Sequence, residues 1–101
     1  MVAVFKYKIK DTIQWIDAPV INWLAVDWQE REQCYVAWAM VDLEAKIRRF
    51  QIIALETGAQ VDGAMLDGYQ HLGTVNSNYY VLHFFVGEFD PKTEEIMKDD
   101  E

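Results

Sequence analysis

The chain has few of the residues that staple, hinge or anchor a protein. It contains one cysteine, two prolines and five glycines in 101 residues. A lone Cys34 excludes an internal disulfide, so a cytoplasmic setting is expected. Its place in an apolar run suits a buried small hydrophobe better than a nucleophile. No apolar run approaches the roughly 18 residues that a membrane-spanning helix needs, so no membrane partner is expected. The opening MVAVFKYKIK lacks the layout of a secretory signal: its apolar part is short and Lys6 interrupts it. Missing too are a Gly-x-Gly-x-x-Gly run, a phosphate loop and any His/Cys/Asp/Glu group at metal-ligand spacing. His71 and His83 lie in separate predicted strands, with no acid–histidine–nucleophile order. No enzyme activity, catalytic residue, metal or cofactor is therefore expected.

Basic residues are also scarce. Nine lysines and arginines face 17 acids, for a formal net charge of −8. Residues 88–101 hold seven acids and two lysines, a balance of −5; residues 1–87 hold ten acids and seven bases, a balance of −3. Phosphate would be repelled, so direct nucleic-acid binding is not expected. Solubility is the plain explanation of the acidic tail.

What is present is apolar. Hydrophobic residues make up 51% of the chain and aromatics 14%, enough for a core and against wholesale disorder. The length fits one domain, residues 1–87, followed by the tail 88–101. Cys34–Glu56 is the organising stretch, with apolar runs at Tyr35–Val41 and Phe50–Leu55 and a polar connector at Asp42–Lys46. The residues of Gln29–Glu56 include many good helix formers. A surface helix, however, needs an apolar stripe with a polar face opposite, and residues 34–41 are apolar all round. That favours strands buried on both faces, and the pair reads as a central hairpin.

Elsewhere the period is two. Ala3, Phe5, Tyr7 and Ile9 alternate with Val4, Lys6 and Lys8, as in a half-solvated strand. Thr12–Ile16 is a second short strand, closed by Asp17-Ala18-Pro19. Val20–Trp28 is a third. In strict alternation Val20, Asn22, Leu24, Val26 and Trp28 share one face, and Ile21, Trp23 and Ala25 the other. Gln29–Gln33 is a polar turn, Ala59–Asp67 a loop, and Tyr69–Val75 and Tyr79–Val86 the last strands, joined by a turn at Asn76-Ser77-Asn78. Lys92–Glu101 suits a frayed short helix or a mobile tail. Seven strands, mostly antiparallel, in about 85 residues predict an all-β barrel or sandwich with a mobile acidic tail.

Four stretches then carry a likeness. They are VFKYKI at 4–9, CYVAWAMVD at 34–42 with RRF at 48–50, Thr57-Gly58, and YQHLGTV at 69–75 with YYVLHFFV at 79–86. In this order the chain resembles a family of short phage and prophage proteins of unknown function. That family shows a VFKY-like strand, W-A-x-V-D, R-R-F, a T-G-H turn, Y-x-G-T and a closing V-F-H-x-F strand. The chain departs from it at Ala59, where the family has histidine, in the longer spacing of Tyr69-Gln70-His71-Leu72-Gly73, and in its charged tail. The resemblance implies a viral accessory protein in the cytoplasm of a bacterial host. It also implies an inhibitor, comparable to anti-CRISPR proteins, of a host protein such as a defence-system component.

Two residue sets could serve such roles. Trp23 and Trp28 fall on opposite faces of one strand, so one of them can be exposed. With Asp27, Glu30 and Glu32 and with acids of the tail it would form a protein-binding face. Alternatively, Arg48 or Arg49 with the Thr57-Gly58 turn would hold a small nucleotide signal. A salt bridge is the simpler role for either arginine, and turn geometry the simpler one for the glycine. A third alternative is a structural or assembly component, which would form homo-oligomers through an edge strand.

Overall fold

The computed structural model describes residues 1–77 and 80–97. Seven strands form: β1 (Val2–Ile9), β2 (Ile13–Ala18), β3 (Val20–Gln29), β4 (Cys34–Asp42), β5 (Arg48–Glu56), β6 (Gln70–Asn76) and β7 (Val81–Phe89). They make two antiparallel sheets, one of order β1-β4-β3 and one of order β2-β5-β7-β6. One core lies between them. Ile9, Val20, Trp23, Val26, Ala37, Ala39 and Val41 of the first sheet meet Ile16, Phe50, Ile52, Val75, Phe84 and Val86 of the second. The all-β expectation holds.

The expected central hairpin does not form. The two stretches are extended, but β4 pairs with β1 and β3 while β5 pairs with β2 and β7. The polar connector after Asp42 carries the chain from one sheet to the other. Being apolar on both faces marks a strand as interior to its sheet, and each of the two is interior. It says nothing about which strand lies alongside. Neighbours in sequence pair often but not always.

β3 departs from strict alternation as well. Its pairing with β4 shifts register between Val20 and Asn22 and again between Trp23 and Ala25. Each bulge adds one residue and reverses the sidedness of the residues after it. Val20, Trp23 and Val26 therefore point inward three residues apart, and Leu24, expected beside Val20 and Val26, is exposed.

On one side the sheets come together, because β3 runs alongside β6. Gly73 permits the approach: a Cβ there would stand 2.8 Å from Val26 Cγ1. Gly63–Leu66 is a short 3-10 turn, capped by the Asp62 carboxylate, which accepts from Ala64 N at 3.0 Å.

β7 runs to Phe89, past position 87 where the domain was expected to end, and the chain then folds back. Phe89 bridges Ile96, and Met97 N donates to Glu88 O at 2.6 Å. Residues 92–97 thus form a turn and a bridge rather than a helix. The remainder of the expected tail, residues 98–101, lies outside the described residues. So do Asn78 and Tyr79 of the expected turn and strand start.

Candidate functional site

The β3–β4 turn builds one wall of an exposed groove. Glu32 N donates to Gln29 O at 3.2 Å and Gln33 N to Glu30 O at 3.3 Å, with Gln33 in the left-handed region at φ 54°. This places Asp27, Trp28 and Glu30 side by side. Asp27 Oδ1 accepts from Trp28 N at 2.8 Å, and Trp28 Nε1 donates to Glu30 Oε2 at 2.7 Å. Gln33 Nε2 donates to the other oxygen, Glu30 Oε1, at 3.0 Å. These side-chain hydrogen bonds, Trp28's first, hold the Glu30 carboxyl below the usual range. The Trp28 ring, 37% exposed, meets Tyr35 edge to face at 5.0 Å. Tyr35 rests on the fully buried Phe84 at 5.3 Å, and burial pushes its phenol up. Across the gap, Ser77 Oγ donates to Tyr80 O at 2.8 Å, and Tyr80 is 48% exposed. Asp27, Trp28, Glu30, Tyr35, Ser77 and Tyr80 line a groove of about 560 Å³.

Three of the five residues expected on a protein-binding face therefore converge here. Glu32 does not join them. It faces the other side of Trp28 and pairs with Lys6 Nζ at 2.7 Å, which lowers its pKa. Trp23 is excluded as a contact residue. The first bulge, between Val20 and Asn22, turns it inward, where it is 8% exposed and lies edge to face with Tyr7 at 5.9 Å and Phe50 at 5.4 Å.

The alternative set is not brought together. Arg48 and Thr57 sit at opposite ends of β5, nine residues apart, a span of roughly 30 Å. Arg48 is occupied: Nε and Nη2 clasp Glu88 at 2.8 and 2.5 Å, and Nη1 donates to Val20 O at 2.8 Å. Its guanidinium also lies over Phe50 at 5.6 Å. Arg49 points to the outer face and stacks on Trp15 at 4.5 Å.

A family model described as a domain of unknown function (DUF7352) matches residues 1–94, which include the groove and both arginines. The chain belongs to this family. No curated protein and no solved structure shows a match to it. Among the described residues no helix is long and apolar enough to cross a membrane.

This DUF7352 chain also has features that reading the sequence missed. Thr57 Oγ1 lies 2.7 Å from His83 Nε2, His83 Nδ1 lies 3.0 Å from Thr74 Oγ1, and Thr74 Oγ1 lies 3.0 Å from His71 Nε2. The two histidines thus belong to one hydrogen-bonded row on the outer face of the four-stranded sheet. Only the β6–β7 register, with Thr74 opposite His83, brings them together. Tyr80 was missed as a groove wall because it comes from a distant part of the chain; Tyr35 stands opposite Trp28 across the β3–β4 turn. Among the described residues no cluster of His, Cys, Asp and Glu is fit to hold a metal.

Proposed function

We propose that this protein is a non-enzymatic accessory protein of the phage type, which binds a host protein in the host cytoplasm and blocks it. The partner we have in mind is a component of a defence system. The observation that carries the reading is the braced, exposed Trp28 ring at the edge of a groove. Tyr35 and Phe84 support it from below, and Glu30 fixes its orientation. A side chain already held in one rotamer loses little entropy on binding, and tryptophan is favoured at binding hot spots. The phage context rests on the resemblance of the VFKYKI, CYVAWAMVD and RRF stretches.

The test begins with capture from host lysate on immobilised wild-type protein. The captured partner is then purified, and its affinity is measured for wild type and for Trp28→Ala. Loss of at least about 2 kcal/mol of binding, roughly thirtyfold in Kd, is expected if Trp28 is a hot spot. Equal affinity for the two proteins, or no partner at all, would overturn the reading.

A further inference from the structure

We infer that the Trp28 groove takes a cationic side chain, lysine or arginine, from a protruding segment of its partner. The inference rests on the protein-binding reading above and adds the chemistry of the contact. Three aromatic residues, Trp28, Tyr35 and Tyr80, wall the groove, and two carboxylates, Asp27 and Glu30, share it. Aromatic faces carry negative quadrupole charge and attract ammonium and guanidinium groups. Bonding of Nε1 to Glu30 uses the edge of the Trp28 indole and not the ring face turned to the groove.

Charge decides the sign of the occupant. Among the described residues, none that lines the groove is lysine, arginine or histidine. Neither Asp27 nor Glu30 has an ion-pair partner among the described residues. Glu30 is held ionised by the hydrogen bonds it accepts from Trp28 and Gln33. The hollow on the other side of Trp28 is the opposite case. It is lined by Lys8 and Lys10, and its one carboxylate, Glu32, is already neutralised by Lys6. The attraction for a cation is therefore confined to one side of the ring. An anionic or purely aliphatic occupant would leave two carboxylates uncompensated as water is displaced.

The probe is a capped Gly-Lys-Gly peptide, compared with the same peptide carrying Nε-acetyllysine. Binding is read from the Trp28 indole N–H signal in nitrogen-edited NMR. The lysine peptide is expected to shift that signal saturably, and the acetylated one to bind at least about tenfold more weakly, the loss of one charge-assisted contact. Asp27→Asn with Glu30→Gln, both at exposed positions, should weaken the lysine peptide about as much and remove its salt dependence. Equal binding of the two peptides, or no shift with either, overturns the inference. The partner assay separates it from the broader reading. If partner binding needs Trp28 but tolerates the double substitution, the cation inference fails and the groove stands. If neither change matters, both fail.

Discussion

The two ends of β3 hold similar ingredients and put them to different uses. At its start, beside Val20, lie Arg48, Glu88, Trp23 and Phe50, around a hollow of about 360 Å³. At its end lie Asp27, Trp28, Glu30 and Tyr35, around the larger groove. Each end has carboxylates, aromatic rings and a concavity. At the start, charge is closed internally: the guanidinium and the carboxylate satisfy each other, and the Val20 carbonyl takes a further N–H. At the end, two carboxylates and a tryptophan face outward with nothing basic opposite among the described residues. The matched end ties the two sheets together, whereas the unmatched end is the one proposed above to meet a partner.

That contrast can be broken in several places. The largest expected effect is in the shared support. Phe84 is fully buried and underlies Tyr35. Phe84→Ala should cost about 3–5 kcal/mol in urea unfolding and loosen the groove with it. Next comes the closed end. Arg48→Ala strands the Glu88 carboxylate and the Val20 carbonyl. A loss of about 2 kcal/mol is expected, below the range for fully buried pairs because Arg48 is partly exposed. Partner affinity should be unchanged.

Trp28→Ala should show the reverse pattern, with stability altered by no more than about 1 kcal/mol. Gly73→Ala would test the closure of β3 on β6. The Val26 methyl must move, and a loss of about 1 kcal/mol is expected by the same unfolding measurement.

The smallest effect is acid sensitivity. Glu30 and Glu32 have folded pKa values below the ordinary 4.5. Their stabilisation is full above that pH and is lost as pH falls through the lowered values. Trp28→Phe removes the hydrogen bond that contributes most to the Glu30 shift. It should therefore flatten part of the stability decline below about pH 4.5, as read from unfolding midpoints across pH.

How much of this was legible depended on whether the information was local. The alternation of Val2–Ile9 showed β1, because one face is solvated and no bulge disturbs it. The groove's Asp27, Trp28 and Glu30 were legible because one turn joins them. Strict alternation puts Trp23 and Leu24 on the wrong faces relative to Val20, since the first bulge in β3 leaves no mark in the residues themselves. The partition of β4 and β5 into different sheets was illegible for a related reason: burial on both faces fixes a strand's position but not its partners. The approach of Tyr80 to Trp28 and of Thr57 to His83 depends on long-range packing, which one sequence does not encode in any local pattern, whereas Tyr35 opposite Trp28 and Thr74 opposite His83 need only the register across a short turn.

The most direct measurement is a pair of binding isotherms with the purified partner, one for Trp28→Ala and one for Arg48→Lys, run beside the wild type. The account predicts roughly a thirtyfold loss for the first and a change within about twofold for the second. Full affinity in Trp28→Ala with a large loss in Arg48→Lys would place recognition at the other end of β3 and contradict it.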